Sequence, residues 1–288
     1  MTILSSSLQS GEFVGYLGAS MWMDLPKNER RYLLKGIGTA VVVVGAWIAF
    51  WMSPMSPAAL DRTAAQAARG DVEGAVSAYL SQEDSWATEF SRGESLWRAA
   101  VLIHVSQSDP ERSLDLLEDL IEGYPGHPRL VDAHARIALI HRHHNDDPIR
   151  AGMRWVAAAS IDPAHPDAGT WMLNAGLALA DAGDVDNALK ALRVAQTRPE
   201  QRVAACLAQG RLHLQLDPAQ AYSDYDAAFR AGANGEARRL AHLGMATALE
   251  YLDRRDAALA ELEEVVEDGE MDAAIQRRRD RLRARRAQ

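Results

Sequence analysis

The chain has a single cysteine, few prolines and glycines for its length, and no glycine-rich phosphate loop, nucleophile elbow or cysteine pair. One thiol, Cys206, cannot close an internal disulfide, so cross-linking is excluded as a source of stability and the redox compartment goes unmarked. Within Ala204-Ala205-Cys206-Leu207-Ala208 it reads as a small core residue. The missing motifs remove the usual sites of phosphate binding, acyl transfer and thiolate metal chemistry, so nothing describes an active site and no cofactor or metal is expected. β-Branched residues are sparse outside one short stretch, while alanine is the dominant small residue. Alanine loses no side-chain entropy in a helix, and the expected fold class is all-α.

A further absence is local. From Gly36 to Leu60 there is no charged side chain, and Gly36–Met52 reads GIGTAVVVVGAWIAFWM. Seventeen helical residues rise roughly 26 Å, close to the ~30 Å hydrocarbon core of a bilayer. A transmembrane helix over residues 32–53 follows, with Tyr32 at one end, Trp47, Phe50 and Trp51 toward the other, and a Pro/Ser linker at 54–58 ending it. Lys27, Arg30, Arg31 and Lys35 precede the span, whereas Arg62 and Arg69 are the first basic residues after it. This bias orients the amino terminus to the cytoplasm and the rest of the chain to the far side. A cleaved signal with its site at Ser56-Pro57-Ala58 is the competing reading, although 35 residues before the apolar core is long for one. Within residues 1–31, Phe13–Met23 is a second apolar run, too short to span; it is either a poorly ordered terminus or an interfacial helix anchored by Trp22.

Charge is segregated. Residues 1–58 hold four Lys/Arg against three Asp/Glu, residues 59–270 hold 20 against 35, and residues 271–288 hold seven against two. An acidic body of this kind repels nucleic acid, which is not an expected partner.

Across the acidic body a pattern recurs: a small residue, then an apolar residue four places on. Ala75 and Tyr79, Ser113 and Leu117, Ala151 and Trp155, Ala188 and Leu192, Ala221 and Tyr225, and Ala258 and Leu262 are its six copies, spaced 33 to 38 residues apart. Periods of that size mark helical solenoids. A turn precedes each copy, at Arg69-Gly70-Asp71, Ser108-Asp109-Pro110, Asp146-Asp147-Pro148, Gly183-Asp184, Leu216-Asp217-Pro218 and Arg254-Arg255-Asp256. Asp and Gly there suit a helix start and a helix end. Small residues before the turns, including Ala138, Gly176 and Ala246, mark close approach of paired helices.

With Trp97, Trp171, Ala158, Ala195, Pro125 and Pro163 in register, residues 59–270 resemble the tetratricopeptide repeat family, most specifically over Trp171–Ala195. The resemblance implies a solenoid of about five to six helical hairpins, closed by an Arg-rich helix or tail at 271–288. In overall layout, one anchor followed by repeats, the chain is similar to the membrane-anchored periplasmic repeat subunit that accompanies the bacterial Sec translocon. The resemblance also implies that first helices of the hairpins line a groove for protein or peptide partners. Carried onto this chain, the groove residues are Arg98, Leu102, Arg136, Ile140, His143, Asn174 and Leu177. Alternating basic and apolar side chains suit an extended or helical peptide with acidic and hydrophobic residues. Leu102, Ile140 and Leu177 also suit the core between repeats, and both readings stand at this point.

Two other clusters remain. His141-Arg142-His143-His144 brings imidazoles together, but His134 and His141 lie about 10 Å apart along a helix axis, too far to share an ion. His141 and His144 are the pair with suitable spacing, opposed by Arg142. The tail carries Arg277, Arg278, Arg279, Arg281 and Arg283 after an acidic stretch with Glu261, Glu263 and Glu264. It is either a closing helix docked through Met271, Ile275 and Leu282, or a basic arm for an anionic partner. The function expected overall is a bacterial inner-membrane, single-pass interaction scaffold or assembly platform with its repeats in the periplasm. The alternative is a structural accessory subunit of a membrane complex.

Overall fold

The computed structural model describes residues 57–83, 88–106, 109–267 and 273–286. Among these residues there are thirteen α-helices and no strand. They fall into two compact units, one ending at Gly70 and one beginning at Asp71. In the first, the described chain is α1, Pro57–Ala67, followed by Gly70 at a left-handed φ of +93°. The membrane span expected at 32–53 and the Phe13–Met23 run lie outside the described residues. Among those described, no helix is long and apolar enough to cross a membrane.

The second unit holds α2 (Val72–Glu83), α3 (Glu89–Ser106), α4 (Pro110–Gly123), α5 (Leu130–His143), α6 (Pro148–Ile161) and α7 (Ala168–Asp181). It continues with α8 (Val185–Gln196), α9 (Arg202–His213), α10 (Pro218–Arg230), α11 (Gly235–Tyr251), α12 (Arg255–Glu267) and α13 (Ala273–Arg286). From α3 onward each helix packs on the one before it, and α9 also meets α7 and α11. Contacts of that kind, between neighbours and next-but-one helices, are those of stacked hairpins.

Local chemistry sets where the helices begin. Proline opens α4, α6 and α10, where its missing N–H costs nothing and its fixed φ suits a helix. The preceding Asp109, Asp147 and Asp217 accept backbone N–H groups of Arg112, Arg150 and Gln220 at 3.0, 2.9 and 3.1 Å. Asp184 caps α8 in the same way through Asn187. At the end of α7, Gly183 takes φ +81°, letting its N–H reach the Ala180 carbonyl and the Asp184 N–H reach that of Leu179, at 3.0 and 2.9 Å. This is the Schellman arrangement, which satisfies carbonyls that a helix end leaves open. Each of the six turns read from the sequence falls between two helices.

The small residue after each turn is fully buried, from Ala75 to Ala258, and the large residue four places on is buried with it. In a helix these two positions share one face, which is pressed against the preceding helix. Ser113 stands where the other copies have alanine and donates its hydroxyl to the Ala100 carbonyl at 2.8 Å, so the buried oxygen is satisfied. The central core collects Trp155 and Trp171 among alanines 138, 151, 158, 175 and 178. Alanine lets the backbones approach, and the two indoles are the largest buried side chains of the cluster. A separate cluster closes the far end, where Ile275 and Leu282 of α13 pack on Leu249, Leu262 and Val265.

Candidate partner-binding wall

The first helices α3 and α5 are bridged by side chains. Gly93 of α3 brings the backbone against the His127 ring, which lies 5.2 Å from the Phe90 ring and 3.2 Å from the Phe90 carbonyl through Nε2. One turn further along α3, Trp97 meets two guanidinium groups, Arg129 at 5.7 Å and Arg136 at 5.6 Å from the ring centroid. An indole face attracts cations at such distances. Beyond it, His104 makes an edge contact with His144 at 5.9 Å.

The cations around Trp97 are not equivalent. Glu94 is buried and bridges Arg98 at 2.9 Å and Arg129 at 3.3 Å, and Arg129 also reaches Asp132 at 3.2 Å. Burial lowers the Arg98 pKa, but hydrogen bonds to Glu94 and Tyr79 outweigh it and leave the pKa above the ordinary arginine value. Arg136 is half-buried and, among the described residues, has no carboxylate within 4 Å. Burial pulls its pKa below the ordinary value, with Asp132 opposing. Burial also lowers the pKa of His104, helped by Arg136, His144 and His143, and its Nδ1 has no hydrogen-bond partner among the described residues. The wall is therefore a cationic corner beside an aromatic face, with one permanent charge uncompensated.

The expected groove residues separate when placed on this framework. Arg136 and His143 are on the wall, His143 exposed at the end of α5. Arg98 and Leu102 are half-buried on the neighbouring row of α3, whereas the row that meets α5 is Trp97, Val101 and His104. That is an offset of one residue, or about 100° around a helix. Ile140 has no exposed surface and belongs to the core, so its assignment to the groove is corrected: its face of α5 is turned inward. Leu177 packs against the cluster of Leu192, Ala195, Ala205 and Ala208, so it is mainly contact between repeats. Asn174 is half-buried on α7.

Of the residues not anticipated, His104 follows Trp97 at the i, i+4, i+7 spacing of a helix face, a signal present in the sequence. Glu94 had none, because a buried carboxylate is recognised only through the two arginines it joins. At the carboxyl ends of the first helices, Asp181 of α7 meets Arg142 of α5 at 2.6 Å and Arg211 of α9 at 4.0 Å, tying three hairpins together.

The histidines of α5 stand in different surroundings. His141 is buried with its pKa lowered by burial, and His134 of α5 faces Arg154 of α6 at 3.3 Å. Among the described residues no three His, Cys, Asp or Glu side chains converge as a metal site. The tail arginines also divide. Arg278 binds Glu250 at 2.6 Å and Thr247 at 2.9 Å, and Arg283 binds Glu263 at 2.6 Å. Arg279 is mostly covered, and Arg277 and Arg281 are exposed.

No protein-family model matches the chain, and a search of curated proteins returns no relative. Among solved structures it is similar to a tetratricopeptide repeat protein from Parabacteroides merdae, at 17% identity over 66% of this chain and 72% of that one, with a TM-score of 0.51. It is also similar to PilF of Pseudomonas aeruginosa, at 20% identity over 64% and 79% with a TM-score of 0.43. For PilW, a type IV pilus biogenesis factor, the values are 12%, 75%, 94% and 0.46. At such identities the likeness concerns the fold, a tetratricopeptide-type stack of helical hairpins. Its functional side chains are this chain's own.

Proposed function

We propose that the chain is a membrane-anchored interaction scaffold whose α3–α5 wall receives a partner segment carrying acidic and apolar side chains. The observation that carries this reading is Arg136, a half-buried guanidinium over Trp97 with no carboxylate within 4 Å among the described residues. A partner carboxylate there gains a charge-assisted hydrogen bond, worth about 1.5–3 kcal/mol net in a partly desolvated setting. Half-buried Leu102 and exposed Val105 on α3 offer apolar contact nearby. With no catalytic constellation in the sequence, the role is one of holding and positioning rather than chemistry.

The anchor is residues 32–53, in a bacterial inner membrane with the amino terminus cytoplasmic and the repeats periplasmic. Support comes from the charge-free run after Lys35 and the four basic residues before it. A reporter fused after residue 288 should be active only in the periplasm, and cytoplasmic activity would sink this topology. For the wall, a labelled peptide of alternating Glu and Leu is titrated into the full chain. Arg136→Glu should weaken binding at least tenfold, whereas unchanged affinity removes Arg136 from the interface. Binding should tighten as pH falls, because a carboxylate beside His104 opposes the forces that keep it neutral.

A further inference from the structure

On the second helices of the hairpins, α6 and α8 flank a furrow of about 440 Å³ floored by Met172 and Leu179 of α7. Met153 and Val156 form one side, Ala191 and Val194 the other. Met153 is 62% exposed and Val194 46%, so large apolar side chains stand at both lips. The apolar stripe extends beyond the furrow to Ile149, one turn before Met153 on α6 and about half-exposed. From Ile149 through Met153 to Val156 the stripe is roughly 10 Å long, the length of two helical turns. Two of the exposed large hydrophobic residues, Ile149 and Met153, thus lie one turn apart on one face of α6.

Both charged side chains that line the furrow, Asp184 and Lys190, belong to α8. On α6, Arg150 is paired with Asp147 and Arg154 with Glu118. On α8, Lys190 lines the furrow and donates to the Asn187 side-chain oxygen at 3.1 Å, with exposed Arg193 beside it. Neither has a carboxylate within 4 Å among the described residues. Asp184 is committed to capping α8, and exposed Asp186 lies a turn below Lys190 without pairing to it. In a body whose balance is strongly acidic, the Val194 end of this lip offers two cations that make no ion pair among the described residues, across from the apolar row of α6.

We infer that the α6–α8 furrow is a second docking site, taking an amphipathic helix of a partner protein whose apolar face carries acidic residues on its α8 side. A helix of about 10 Å diameter covers both lips at once and buries the stripe over its whole length. A thin acyl chain would fill the floor and leave Ile149 in water. The site is built on second helices, so it is separate from the Arg136 wall and stands whether or not that wall binds peptide.

The probe is a synthetic 14-residue amphipathic helix with Leu at i, i+3, i+7 and i+10 and Glu along one flank, with a Lys-flanked counterpart, titrated by fluorescence anisotropy into the full chain. The Glu-flanked peptide should bind at least tenfold more tightly than the Lys-flanked one. Met153→Glu should weaken it at least tenfold, and Lys190→Glu should reverse the preference between the two peptides. Leu216→Glu, at an equally exposed apolar residue before α10, should leave both affinities unchanged. The inference is overturned if the Glu-flanked peptide fails to bind at 1 mM, or if its affinity falls with Arg136→Glu and not with Met153→Glu. It is also overturned by displacement of the peptide by micromolar dodecanoate, which identifies an acyl ligand. Dimerisation that Met153→Glu abolishes in sedimentation equilibrium overturns it in favour of a second copy.

Discussion

Gly176 puts the closeness of a hairpin on a numerical footing. It lies in α7 facing α8, where an added Cβ would stand 2.5 Å from Leu192 Cγ, 2.7 Å from its Cδ2 and 3.2 Å from the Ala188 carbonyl oxygen. Carbon atoms prefer about 3.5–4.0 Å, so one methyl requires the helices to separate or Leu192 to turn. Leu192 is fully buried against Ala195 and Ala205 and has little room to turn. Two effects oppose each other in Gly176→Ala. Replacing glycine inside a helix gains about 1 kcal/mol, while overpacking a filled core costs about 1–3 kcal/mol. With a backbone oxygen among the obstructing atoms, the clash should win, leaving a net loss of about 1 kcal/mol. Gly123 closes α4 with no atom within 4 Å of the place a methyl carbon would take, so Gly123→Ala should instead stabilise by about 0.4–1 kcal/mol. Leu192→Ala alone should cost about 2–5 kcal/mol, and the double variant less than the sum, because the new methyl occupies space the leucine vacated. Urea titration followed by tryptophan fluorescence reads all four proteins, with an unchanged slope required for the comparison. A Gly176→Ala chain as stable as the parent would refute the packing argument.

Burial, with Arg154 adding to it, holds His134 down at about 4. Its folded value lies below the unfolded one, so the unfolded chain takes up the proton first. The stability it contributes is complete above pH ~6.5 and is lost as pH falls toward 4. His134→Gln should therefore reduce the loss of urea midpoint between pH 7 and 4.5, and an NMR titration of His134 centred near 6.5 would contradict this. At α13, Leu282→Ala should cost about 2–5 kcal/mol locally, and Arg283→Ala, whose ion pair is half-exposed, less than about 1 kcal/mol. Amide exchange across 246–265 should rise sharply in the first and little in the second; equal effects would make the docking electrostatic. Asp217→Ala removes a cap with two backbone acceptances and should cost about 0.5–2 kcal/mol, checked by the same denaturation.

The turns and the packed face were legible because their causes are local. Asp109-Pro110, Asp147-Pro148 and Asp217-Pro218 each carry a cap and a helix start in two residues, and the small residue that follows four places after each aspartate falls on a fixed face. The wall was less legible because its assignment depends on rotation about a helix axis. Shifting by one residue exchanged the row of Trp97 and His104 for that of Arg98 and Leu102, and placed buried Ile140 on the surface. Partners distant in sequence were the least legible. Glu250 lies 28 residues from Arg278, outside the acidic stretch expected to hold the tail, and only the folded α11 brings them together.

The two sides of α13 differ in what they can pack against. Ile275 and Leu282 occupy the edge on which a further hairpin would otherwise add, while exposed Arg277 and Arg281 offer no apolar strip to another. Each unit of a repeat array buries its apolar face on a neighbour, and a polar outer face keeps such a stack soluble. Without α13, Leu249, Leu262 and Val265 would form a reactive end, and separate molecules would be free to stack as consecutive segments of one longer rod.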